Sequence, residues 1–123
     1  GSHRALGLTS YVLAKPNRLT RGSDYKATVR RGVRCAGTHT VTYVGSVPDE
    51  GPARFGFIVS RQVGSAVTRN TVRRRLKAVC AEALPFVRGG ASIVIRALPS
   101  SATLDYADLR ADVVRCLQRK AAA

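Results

Sequence analysis

Residues 65–80 read SAVTRNTVRRRLKAVC, with five Arg or Lys among the nine residues from Arg69 to Lys77, directly ahead of an apolar run. At about 100° per residue, with Arg69 as origin, Arg73 falls at roughly 40°, Lys77 at roughly 80°, Asn70 at roughly 100° and Arg74 at roughly 140°. Val72, Leu76, Val79 and Ala83 gather at roughly 280° to 340°, the face that would pack on a sheet, while Arg75 at roughly 240° stands apart from the stripe. Arg69, Arg73 and Lys77 repeat at i and i+4, which costs an isolated helix on the order of a few tenths of a kcal/mol per pair. No acid lies within a turn to offset it. Phosphates would, because guanidinium groups grip them bidentately, and a helix start around Thr68 to Asn70 would add free N–H groups and a positive dipole end.

Outward from this helix, expected from about Thr68 to Leu84 with Pro85 as its stop, the chain reads as strands. On the N-terminal side Arg54 to Ser60 places Phe55, Phe57 and Val59 on one face, and Gly64 and Ser65 separate it from the helix. On the C-terminal side ASIVIRA, residues 91–97, follows Gly89 and Gly90 as a short apolar run suited to an interior strand. Strand, helix and strand in this order suggest a parallel pair joined by a crossover. Earlier, Thr38 to Val44 alternates, with Val41 and Tyr43 on one face and Thr40 and Thr42 on the other, and GSVPDEGPA, residues 45–53, connects it to the next strand.

Two more helices complete the pattern. Ser23 can cap the first, with Asp24 in its first turn, Tyr25 and Val29 one turn apart and Gly32 as the stop. The last runs from about Thr103 to Lys120, with Tyr106, Leu109, Val113, Cys116 and Leu117 on one stripe. The order α-β-β-α-β-α predicts an α+β chain: a two-layer αβ sandwich with a mixed sheet of about four strands and a βαβ crossover. Residues 1–3 read as a protease-cleavage scar, 4–22 as a basic, mostly irregular arm whose order a partner could supply, 15–120 as one αβ domain and 121–123 as a tail.

Charge narrows the partner. Across 123 residues, 21 Lys and Arg face 7 Asp and Glu, a net charge of +14 whose self-repulsion a polyanion would relieve. Nucleic acid is the expected partner; no apolar run approaches a membrane span and no signal-peptide core follows the N-terminus, so the protein is expected to be soluble and cytoplasmic. Cys35, Cys80 and Cys116 are odd in number, far apart and without a CxxC pair, so neither a disulfide framework nor a zinc site is expected; Cys80 and Cys116 read as buried small hydrophobes. His39 stands alone, and no GxSxG, P-loop or HExxH pattern occurs. Asp105, Asp108 and Asp112 have a spacing that could hold a divalent ion, but acids at the first two positions also suit a helix N-terminus. The expectation is no catalytic side chain and no protein-held metal.

The pattern VGSAVTRNTVRRRLKAV, residues 63–79, resembles the signature of the bacterial ribonuclease P protein subunit: a Gly-x-Ala-Val approach, Arg-Asn, then spaced basic residues on one helix. The resemblance extends over roughly residues 15–120, through Asn17-Arg18-Leu19, Asp24-Tyr25, Gly32, Tyr43 and RFGFIVS at 54–60. It implies a fold like the second domain of ribosomal protein S5, with a left-handed crossover at the basic helix where parallel connections are right-handed in about 98% of cases. It also implies that the RNA subunit is the catalyst, that Mg²⁺ is bound mainly by that RNA, and that the protein binds the catalytic RNA and the 5′ leader of precursor tRNA. Carried over by position, Arg69, Asn70, Arg73, Arg74 and Lys77 would contact the catalytic RNA. Tyr25, Val29, Tyr43, Ser60 and Arg61 would line the leader cleft, and Asn17 and Arg18 would add N-terminal contacts. Thr71, where the family usually has Arg, Tyr25 in place of Phe, and Gln62 in place of Lys are departures.

Three other readings compete. A general RNA-binding or ribosome-associated protein would bind RNA without promoting cleavage, and a protein-only nuclease would use the three aspartates. A helix-turn-helix DNA reader would need a companion helix where strands flank the basic helix, so no DNA partner is expected.

Overall fold

The computed structural model describes residues 13–46 and 51–123. The expected scar, the start of the arm (residues 4–12) and residues 47–50 of the connection lie outside the described residues. In chain order the elements are α1 (Gly22–Arg31), β1 (Val33–Ala36), β2 (Thr40–Ser46), β3 (Arg54–Ile58), α2 (Ala66–Ala83), β4 (Ala91–Ala97) and α3 (Tyr106–Lys120). Short 3₁₀ turns occupy Lys15–Asn17, Leu84–Phe86 and Pro99–Thr103.

The four strands form one mixed sheet in the order β1-β2-β4-β3. β2 pairs antiparallel with both β1 and β4, and β3 pairs parallel with β4 through the crossover that contains α2. α2 and α3 cover one face. There Val72, Leu76 and Val79 of α2 meet Phe55, Ile93 and Ile95 of the sheet and Leu109, Val113 and Leu117 of α3, all essentially buried. This is the apolar face expected from the helical angles. α1 lies on the other face, where Tyr25 and Val29 pack with Leu19, Val41, Tyr43 and Val94.

Local chemistry adjusts several expected boundaries. Ser65, not Thr68, begins α2: its hydroxyl accepts the Thr68 N–H at 3.3 Å and its carbonyl accepts the Arg69 N–H at 2.8 Å. The free N–H groups expected around Thr68 to Asn70 are therefore already used. Ser23 does not cap α1, which starts at Gly22 behind Arg21 without a side-chain cap. Gly32 does end α1, because a Cβ there would collide with the Thr28 and Val44 carbonyls. Of the four expected strands the one left unplaced is β1, four residues at the sheet edge, too short to show an alternation. The C-terminal tail is not loose: Ala121 is buried, and Ala123 donates its N–H to the Phe86 carbonyl at 2.9 Å.

Two side-chain expectations are corrected. Cys35 of β1 and Cys116 of α3 form a disulfide across 81 residues of sequence, a juxtaposition that only the fold creates. Cys80 remains a free, buried cysteine, and burial pushes its thiol far above the usual range, so it is inert. Asp112 does not join Asp105 and Asp108 in a metal constellation. It is buried under the β1–β2 turn, where its carboxylate accepts the Thr38 N–H at 2.9 Å, the His39 N–H at 3.1 Å and the Thr40 hydroxyl at 2.7 Å. Desolvation alone would raise its pKa, but these three bonds, with the nearby His39, hold it below the usual carboxylate value.

Because the folded pKa is depressed, the stability contributed by Asp112 is present above the unfolded-state pKa and lost as pH falls through the folded one. Asp112→Ala should therefore lower unfolding free energy at neutral pH by on the order of 2–4 kcal/mol, from three stranded donors. Urea titrations should show the gap between wild type and variant closing in acid; a gap independent of pH would refute the clamp.

Candidate nucleic-acid interface

The basic face of α2 follows from its amphipathic pattern. With Val72, Leu76 and Val79 fixed against the sheet, Arg69, Asn70, Arg73, Arg74 and Lys77 all reach the surface, exposed or half-buried. Arg73 Nη1 donates to Asn70 Oδ1 at 3.4 Å, which holds that guanidinium along the helix. Thr71, the departure at a usual Arg position, turns its hydroxyl to the Val67 carbonyl at 3.1 Å and so points no charge outward. Arg75 is diverted: its Nη1 donates to the Leu104 carbonyl at 2.8 Å, tying α2 to the segment before α3. Glu82, the one acid of α2, is engaged by the Tyr106 hydroxyl and by Arg110 at 3.4 Å. No carboxylate among the described residues neutralises the stripe.

The arm is held by the protein itself. The Asn17 side-chain amide donates to the Ala53 carbonyl at 2.9 Å, the Leu19 N–H donates to the Phe55 carbonyl at 2.8 Å, and Leu13 and Leu19 are buried. Residues 13–21 thus lie against the β3 side of the sheet through contacts within the chain. Asn17, buried and committed to Ala53, anchors the arm, whereas Arg18 is exposed beside the β3 edge. A depression of about 300 Å³ joins Arg18 and Lys15 of the arm, Tyr25 of α1, and Arg73 and Lys77 of α2. The basic stripe therefore runs into the edge of α1.

On the α1 face a second, open groove of about 460 Å³ is lined by Tyr25, Lys26, Val29, Arg30, Ile58 and Arg96. Gly56 lets α1 come close, since a Cβ there would collide with the Tyr25 ring. The Tyr25 hydroxyl accepts the Phe57 N–H at 3.3 Å and donates to the Leu19 carbonyl at 3.4 Å. Among the expected cleft residues, Tyr25 and Val29 line this groove, and Tyr43 packs against them, buried at 9% exposure. Ser60 and Arg61 are exposed in the turn that follows β3, at the Ile58 end.

Sequence reasoning missed Lys26, Arg30 and Arg96 as groove residues. The signal was present: Lys26 and Arg30 follow Tyr25 and Val29 by one position each on α1, and Arg96 is the one charge in the ASIVIRA run.

The geometry separates two arginines of α2. Arg73→Ala should weaken binding to a structured RNA at all sequences and reduce the slope of log affinity against log salt by about one unit. Arg75→Ala should leave that slope unchanged, because its guanidinium serves Leu104. Equal slopes for both variants would refute the assignment of the stripe.

The model of the family described as Ribonuclease P matches residues 13–121. The ribonuclease P protein component of Clavibacter michiganensis is 47% identical over 108 residues, covering 88% of this chain and 96% of that protein. That of Acidothermus cellulolyticus is 44% identical over 109 residues, covering 88% and 91%. The solved Staphylococcus aureus RNase P protein superposes with a TM-score of 0.78 at 19% identity, covering 85% of this chain and 95% of that one, and so shares the fold.

Proposed function

Because the chain belongs to the ribonuclease P protein family, the protein subunit of a ribonucleoprotein endoribonuclease acting in tRNA 5′ processing, we propose that its two surfaces divide the RNA between them. Arg69, Asn70, Arg73, Arg74 and Lys77 bind the catalytic RNA. Tyr25, Val29, Tyr43, Ser60 and Arg61 receive the single-stranded 5′ leader of precursor tRNA, with Arg18 flanking them from the arm. The observation that carries this reading is the meeting of the α2 stripe with Tyr25 in one depression, which allows both RNAs to be held side by side.

The physics of each surface suits its ligand. Unpaired cations on a helix attract the phosphates of a folded RNA without reading its sequence. Aromatic edges and apolar walls accept bases of any identity, at roughly 1–3 kcal/mol per stacked base, as leaders of variable sequence require.

The chemistry resides with the RNA. Among the described residues no three His, Cys, Asp or Glu side chains come together as a metal site. Asp112 spends its carboxylate on the β1–β2 turn. These residues do not fit a protein-held Mg²⁺, so the Mg²⁺ on which cleavage depends is assigned to the RNA. From the family's part in tRNA processing, we place the holoenzyme in the bacterial cytoplasm.

The test is cleavage of a leader-bearing precursor tRNA at low millimolar Mg²⁺ by a bacterial ribonuclease P RNA, by the protein, and by both. The mixture should cut at the mature 5′ end far faster than the RNA alone, and the protein alone should not cut. Cleavage by the protein alone would place the chemistry on its side chains. The protein's contribution to substrate affinity should also shrink as the leader is shortened to none; a contribution independent of leader length would remove the leader from the groove.

A further inference from the structure

The strand register shows what forms the floor of the α1 groove. Ile58 of β3 lies opposite Arg96 of β4, Arg96 opposite Val41 of β2, and Val41 opposite Ala36 of β1. The adjacent row on the same face is Gly56, Val94, Tyr43 and Arg34. Directly opposed residues in a sheet project to the same side, so Arg96 stands on the face that carries Tyr43, one row further along. It is exposed, in an interior strand, between Ile58 and Val41.

A guanidinium in that position would ordinarily have an acid beside it. Arg96 has none: the ion pairs among the described residues, Arg110–Glu82 and Arg115–Asp112, both involve α3 on the opposite face. The groove wall adds further positive charge, because α1 presents Lys26 and Arg30, one helical turn apart, beside Tyr25 and Val29. Three cations from two elements thus converge over an apolar floor without a counter-charge. That arrangement suits a phosphodiester whose base lies against the apolar wall.

We propose that Arg96, faced by Arg30, is a leader-positioning residue that grips a phosphate of the 5′ leader. This rests on the reading of the α1 groove as the leader site, and adds to Tyr25, Val29, Tyr43, Ser60 and Arg61 the charge that this set lacks along the groove floor. The phosphate is common to every leader, so the contact strengthens binding without restricting sequence. Arg96 sits where the chain crosses the open part of the sheet, and fixes the leader's path there.

The test uses holoenzyme reconstituted with wild-type protein, Arg96→Ala and Arg96→Lys, binding precursor tRNA with a leader and mature tRNA without one. Arg96→Ala should weaken precursor binding about tenfold and flatten its salt dependence by about 0.7 of a unit, as expected for one single-strand phosphate contact. Arg96→Lys should recover part of the affinity and all of the slope. Mature tRNA and the catalytic RNA should bind all three proteins alike. Equal weakening of mature tRNA, or no effect of Arg96→Ala while the leader still tightens wild-type binding, would overturn the role of Arg96 and leave the groove reading intact. If the leader adds nothing to wild-type affinity, the groove reading fails and this proposal with it.

Discussion

The close seating of α1 on one part of the sheet is the constraint from which both surfaces follow. The Thr28 and Ser92 hydroxyls lie 2.6 Å apart in a buried hydrogen bond between α1 and β4, and Gly56 leaves room for the Tyr25 ring. A buried hydroxyl pair of this kind resists separation, since each partner would be left desolvated and unsatisfied. Held there, α1 covers the Ser92 end of the face and leaves the row of Ile58, Arg96 and Val41 at the mouth of the groove. Tyr25 also reaches the arm through Leu19, so the same helix closes the depression shared with α2.

Electrostatics give these surfaces their purpose. A net charge of +14 on 123 residues is unfavourable for a compact chain unless a polyanion shares it. Two of the acids are committed away from the α2 stripe. Glu82 serves Tyr106 and Arg110, and Asp112 is buried beneath a turn. The interior is correspondingly apolar: Phe55, Leu76, Ile93, Ile95, Leu109 and Leu117 are fully buried. Stability rests on that core, and the charged faces remain available for RNA.

Much of this could be read from local periodicity. The stripe of α2, the separation of Arg75 from it, the two faces of β2 and the parallel pair around the basic helix all follow from spacings of two and 3.6 residues. What could not be read depends on long-range placement. Cys35 and Cys116 are 81 residues apart, and Asp112 meets Thr40 across 72. Arg96 belonged to an apolar run until the register placed it in a row with Val41 and Ile58. Asn17 fitted a family contact by position, yet its amide is occupied by Ala53, a pairing visible only once the arm lies against β3.

The central claim is that one small domain holds two RNAs on two adjoining surfaces, the catalytic RNA on α2 and the leader under α1. Its most direct test is site-specific crosslinking within the assembled holoenzyme, with a photoreactive group introduced at Val29 in one protein and at Arg74 in another. The account predicts that the group at Val29 attaches to leader nucleotides of the precursor and the group at Arg74 to the catalytic RNA. Attachment of both groups to the same RNA, or an exchange of the two, would contradict it.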